Sequence, residues 1–209
     1  MKVVFAIVVV CCLGFVGCAQ QAEDPVVAEE VIAPEWERVL PGLMTDTQKA
    51  QQELIVTATN ALASEMMGEL MAALDESGPA GGIGVCRDKA PAVAANVTEI
   101  YGVEIGRTSA MLRNASNVAP GWASPYVDAM VEDPTWVGGP EGELGALLPI
   151  RLKAECQMCH GPAETIDEDV MAAILEAYPD DQAVGYSEGD LRGWFWVEAP
   201  PGDMSMTES

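Results

Sequence analysis

Hydrophobic positions in the first half of this 209-residue chain follow one helical period. Leu54, Ala58, Ala61, Leu62, Met66, Leu70 and Leu74 fall at three- and four-residue spacings, as one face of a helix requires. Thr45-Asp46-Thr47-Gln48 precedes them as a capping-box sequence, with Gln48 placed to reach back to the Thr45 amide. Gly78-Pro79 is a stop signal. The pattern predicts a long N-terminal helix over about residues 45–76. Within it, Met66, Met67 and Met71 read as ordinary helix packing.

Residues 81–84 read as a flexible, glycine-rich break. A second helix follows, carrying Cys86, Ala90, Val93, Ala94 and Val97, with Pro91 either kinking it or starting a new turn. Residues 103–109 read as a strand, 113–124 as irregular and 125–131 as a short helix. Trp136 and residues 144–152 predict two more strands, and residues 168–178 a helix. Residues 190–197 predict a last strand, in which Trp194, Phe195 and Trp196 have high β-propensity. From Ala199 onward, two prolines, a glycine and polar residues predict a disordered tail over 199–209.

The N-terminus carries a different pattern. Met1 and Lys2 form a minimal charged region, residues 3–10 are wholly apolar, and the run continues through Leu13 and Phe15. Phe15-Val16-Gly17-Cys18 then reads as a bacterial lipobox, with Phe where Leu is usual. The expectation is a lipoprotein signal peptide over 1–17, lipid on Cys18, an acidic flexible tether over 18–34 and a folded domain over 35–198. An uncleaved anchor is the competing reading, and the apolar run is short for a span. Either way the domain is expected on the periplasmic side of a bacterial membrane.

Charge narrows the partners. Ten Lys and Arg face 33 Asp and Glu, a net charge of −23, and cleavage would remove only Lys2. Such a surface repels nucleic acid and anionic headgroups. It suits a basic redox or signalling partner in the periplasm, or simply solubility.

The densest chemistry is Cys156-Gln157-Met158-Cys159-His160, a C-x-x-C-H run. Its two thiols can each add to one vinyl group of a single haem, and the histidine supplies an axial nitrogen. His160 is the only histidine. A structural zinc would need a fourth ligand from elsewhere, and a redox dithiol would want a different context. One run implies one covalent haem c. Of six cysteines, Cys11 and Cys12 leave with the signal peptide, Cys18 takes lipid, and Cys156 and Cys159 take haem. Cys86 remains as a single thiol in an oxidising compartment, where an idle thiol is a liability.

Three blocks carry a family resemblance. They are Gly84-Val85-Cys86-Arg87 running on to Lys89-Ala90-Pro91; Gly106-Arg107-Thr108-Ser109 followed by Arg113-Asn114 and Asn117; and Cys156 to Gly161 followed by Ala183-Val184-Gly185-Tyr186 and Gly189-Asp190-Leu191-Arg192-Gly193. Together they resemble the single-haem c-type proteins with a PAS-like fold, typified by a cyanobacterial haem protein. Ala115 stands where that pattern has proline. The resemblance implies an α+β domain, with about five antiparallel strands flanked by helices and haem held against the sheet. It also implies a cysteine as sixth iron ligand, which maps onto Cys86.

Around such a haem, Arg107 and Arg113 could pair with propionates or with the chain's own carboxylates. Tyr186 could face the haem edge or fill the core. Asp190 and Arg192 read as ordering a hairpin near Gly189. A buried idle Cys86, or one of the 11 methionines as ligand, is the alternative to Cys86 ligation. A thiolate opposite imidazole would favour ferric iron and suit a redox or gas sensor input. An electron-transfer cytochrome is the second expectation. A peroxidase-type enzyme is the third, weakened because no second histidine is present.

Overall fold

The structure, a computed structural model, describes residues 35–202. The expected signal peptide, Cys18, the tether and residues 203–209 lie outside the described residues. One antiparallel sheet has the strand order β1-β3-β4-β5-β2. Its strands are β1 (Glu37–Val39), β2 (Glu104–Thr108), β3 (Thr135–Gly138), β4 (Leu144–Arg151) and β5 (Leu191–Ala199). Four of these sit where alternation and β-propensity predict strands. β1 has three residues, too few to show a period.

Helix α1 (Asp46–Gly84) starts at the predicted capping box. Thr45 Oγ1 accepts from the Gln48 amide at 3.2 Å, and Gln48 Oε1 accepts from the Thr45 amide at 3.0 Å. The helix breaks at Gly78, whose φ of 68° and ψ of −175° cost a glycine little. Pro79 restarts it, since a first-turn residue needs no amide hydrogen. Residues 81–84 are therefore helical, not a flexible break. Gly82 is there for close approach: a Cβ on it would come within 3.1 Å of Leu70 and 3.2 Å of Leu74. A π-helical turn (Val85–Lys89) then leads into α2 (Ala90–Tyr101), with Pro91 in its first turn.

The core lies between these helices and the sheet. Ile55, Ala58 and Leu62 of α1, with Val93 and Val97 of α2, bury against Ile105, Leu144, Ala146 and Val197. Strand alternation divides β5 between two layers. Phe195, Val197 and Ala199 face α1 and α2, whereas Trp194 and Trp196 face a second cluster with Leu147, Ala123 and Val127. That second layer comes from the α3 region (Ser124–Asp128). The remaining helices are α4 (Gln157–His160) and α5 (Glu168–Ala177), and α5 packs Val170 and Ile174 against Ile83.

The expected tail begins too early. Ala199 is paired with Leu144 and fully buried, and the Pro200 carbonyl accepts from Gln51 Nε2 at 2.8 Å. Two prolines and a glycine signal disorder, but the core position of Ala199 and the buried Gln51 amide override them. The result is a mixed α+β domain with a long N-terminal helix.

Gly106 pairs across the sheet with Trp196, and a Cβ there would sit 2.6 Å from the indole. Gly106→Ala should therefore cost about 1–3 kcal/mol of stability by overpacking. Urea unfolding should show a lower midpoint at unchanged m-value. An unchanged midpoint would mean that the indole can swing aside.

Candidate functional site

Burial along α1 changes character after Leu62. Met66, Met67, Leu70 and Leu74 continue the apolar stripe, yet they are only half-buried. They line a cavity of about 610 Å³, with Met66 at the edge of the core. Met66, Met67 and Met71 all line it, and Met66 packs against the core as well, as expected of it. Such a volume, with a mostly apolar wall, suits a sizeable organic ligand. The rest of the wall comes from the ends of β2, β4 and β5, the 112–117 loop, and the C-x-x-C-H segment.

A short 3-10 turn (Ala154–Cys156) and the single turn of α4 shape that segment. Residues 183–186 lie alongside and bind its backbone. Gly185 N donates to Gly161 O at 2.8 Å, and Tyr186 N donates to His160 O at 2.9 Å. His160 Nδ1 lies 2.7 Å from Ala183 O. A carbonyl only accepts, so Nδ1 carries the ring proton and Nε2 keeps its lone pair. Burial holds the imidazole down to about 3, aided by the nearby Arg113 and Arg192 cations. The ring is therefore neutral and oriented, as a metal-ligating imidazole must be.

Arg113 makes the alternative contact foreseen for it, with a carboxylate of the chain. Nε donates to Asp181 Oδ1 at 3.0 Å and Nη2 to Oδ2 at 3.2 Å, and both side chains are buried. Nη2 also donates to Cys159 O at 2.6 Å and to Ala183 O at 3.3 Å. Arg113 is a clamp on the C-x-x-C-H segment, and a propionate role is not what it is built for. Arg107 differs. It lines the cavity, and its guanidinium has no hydrogen bond or ion pair among the described residues.

Tyr186 takes the second of its two expected places, the interior, and not the cavity wall. Its ring supports the Arg192 guanidinium, 5.4 Å above its centroid. Arg192 takes the wall position instead. The register of β4 and β5 shifts between Ile150 and Arg151, which leaves Arg192 unpaired as a bulged residue. Strict alternation would put it on the face of Trp194, but the bulge re-aims it into the cavity. Asp190 does order the nearby turn, accepting from Ser187 N at 2.7 Å. Tyr178, Asp181 and Arg192 are site residues that sequence reasoning missed. Ala183-Val184-Gly185-Tyr186 and the Arg in Gly189–Gly193 were visible signals, but they carried no geometry.

Cys86 sits in the π-helical turn, an irregularity common at functional sites. Half-buried, it lines the same cavity as Cys156, Cys159 and His160. Burial, then the charges of Cys86 and Cys156 against that of Arg113, pushes the Cys159 thiol up. Burial and Cys86 likewise push the Tyr178 phenol up. Among the described residues no three or more His, Cys, Asp or Glu side chains converge as a metal-binding group. The cavity instead offers two thiols for covalent attachment, an imidazole Nε2, a third thiol, and an unpaired guanidinium. These are the groups a flat, anionic, iron-containing macrocycle would require. Among the described residues no helix is long and apolar enough to cross a membrane.

The lone histidine makes a clean probe. Its pKa is lowered in the fold, from 6.5 to about 3, so the unfolded chain binds a proton first. Stability from the neutral ring is full above about 6.5 and is lost as pH falls toward about 3. In the ligand-free protein, the His160 ring proton resonances should stay constant from about pH 7 to about pH 4. A titration centred near 6.5 would show a solvated ring.

The profile of the Tll0287-like family (Tll0287) matches residues 39–200. The solved structure of the cyanobacterial heme-protein Tll0287 has the same fold, with a TM-score of 0.54 and 21% sequence identity. The match covers 79% of this chain and 100% of that one. No curated protein sequence matches the chain. With most of the chain inside the family profile, the protein belongs to the Tll0287-like family.

Proposed function

We propose that the cavity holds one haem, joined by thioether bonds to Cys156 and Cys159. His160 Nε2 is one axial ligand and the Cys86 thiolate is the other. The observation that carries this reading is the convergence of all four side chains on one cavity. The family relative, described as a heme-protein, supports it. Bound haem would supply a one-electron iron centre. Arg107, a wall cation with neither a hydrogen bond nor an ion pair among the described residues, is the propionate partner, since Arg113 is committed to Asp181.

The function is that of a redox or gas sensor input. A thiolate favours ferric iron and is readily lost on reduction. Cys86 rides on a π-helical turn a few residues after the Gly78 break, in a helix that is irregular where the ligand sits. Such a segment can release its ligand more easily than a regular helix. An electron carrier is the second reading, favoured by the acidic surface, which suits a basic redox partner. The Phe15-Val16-Gly17-Cys18 sequence supports tethering through lipid on Cys18 at the periplasmic face of a membrane.

Acid–acetone should fail to extract the haem, and pyridine haemochrome should give a c-type spectrum. Cys86→Ala should keep the covalent haem but lose the low-spin thiolate EPR signature, with a rise in potential. An unchanged low-spin spectrum would assign the sixth position to another residue. Retention of the thiolate in both oxidation states of the wild type would favour the carrier. Intact-mass analysis of membrane-extracted protein should show a lipid-modified chain starting at Cys18. A soluble product starting elsewhere would rule the tether out.

A further inference from the structure

We propose that Arg192 is a positioning residue for the iron: its guanidinium, held against the His160 ring, raises the reduction potential above what His160 and Cys86 alone would set. The inference rests on the haem reading above. Its first support is a contact that is not a hydrogen bond. Arg192 Nε lies 3.3 Å from His160 Nδ1. The Nδ1 proton is directed at Ala183 O, 2.7 Å away, so that nitrogen has no lone pair for a second donor. A cation stays beside an N–H only if other bonds keep it there.

Those bonds are present. Arg192 Nη1 donates to Ser109 Oγ at 3.0 Å and to Met111 O at 3.3 Å. Ser109 Oγ in turn donates to the Arg192 carbonyl at 2.8 Å. Tyr186 presents its ring face to the guanidinium. The β-bulge turns the side chain inward. Five features of the fold therefore aim one charge at one ring.

The charge also has no ion-pair partner of its own. No carboxylate forms an ion pair with Arg192 among the described residues, and Asp181 is taken by Arg113. An unpaired, half-buried charge costs stability, and its field is less screened there than in open solvent. Iron that gains an electron loses positive charge, so a neighbouring cation favours the ferrous state. The Cys86 thiolate pushes the other way. Arg192 offsets part of the thiolate effect and keeps reduction within reach of a periplasmic donor.

Two variants of the haem-loaded full chain separate charge from structure. Arg192→Gln should shift the midpoint potential to a more negative value while haem stays attached. Arg192→Lys should recover most of that shift, although it loses the planar fork on Ser109 and Met111. Equal shifts in both variants would mean a purely structural role, and no shift in the Gln variant would also overturn the proposal. Should neither fold, Tyr186→Leu removes the supporting ring and should move the potential in the same direction, and an unchanged value there sinks the idea. A wild-type preparation without covalent haem by pyridine haemochrome would overturn the haem reading instead, a result distinct from all of these.

Discussion

The buried Arg113–Asp181 ion pair is the tie on which the site depends. One guanidinium grips a carboxylate two-fold and also holds the carbonyls of Cys159 and Ala183. Asp181 returns the favour to the second loop by accepting from Ala183 N at 3.0 Å. Three segments distant in sequence are thereby fixed to one another. Ala183 O is then in place to receive the His160 proton. Removing one partner of such a pair leaves an uncompensated buried charge, a loss of about 3–5 kcal/mol. The hydrogen bond that orients the imidazole, to Ala183 O, is thus held in place by an ion pair of which His160 is not a member.

The other half of the site is set by where the helix stops burying its stripe. Ile55, Ala58 and Leu62 fill the core against the sheet, Met66 sits at its edge, and the same face from there to Leu74 lines the cavity. The Gly78 turn brings residues 79–89 back beside it, and Gly82 permits the approach to Leu70 and Leu74. This hairpin places the π-helical turn, and Cys86 with it, on the cavity. A long amphipathic helix therefore does two jobs along one face, packing first and lining second.

Much of this was legible in the sequence. Period and capping located α1, β-propensity located β5, and C-x-x-C-H with the single leftover thiol named the residues that share the cavity. What escaped has physical causes. Periodicity cannot distinguish an apolar stripe facing core from one facing a cavity, so the cavity-lining side of Met66, Met67 and Met71 went unseen. Glycines read as flexibility turned out to allow close packing within a helix. Alternation misplaces Arg192 because one bulged residue reverses the face. The choice of Arg113 between propionate and carboxylate needed Asp181, 68 residues away, and no local pattern carries that pairing.

The distribution of cations carries the last step. The chain has 33 acidic residues against ten basic ones, so chance would surround any cavity with carboxylates. Yet against only two acids, Glu69 and Glu155, the wall of this one carries the exposed Lys89, Arg151 and Lys153 and three half-buried arginines, Arg107, Arg113 and Arg192. Of the three, only Arg113 has its counter-charge in the fold. Burial works against the charge on both Arg107 and Arg192, pushing each guanidinium below its usual range. A fold that keeps two such charges without an ion-pair partner for either is preorganised for negative groups that arrive from elsewhere. On the proposed reading, haem propionates are such groups, and the unpaired Arg107 and Arg192 on the cavity wall are the cations that would meet them.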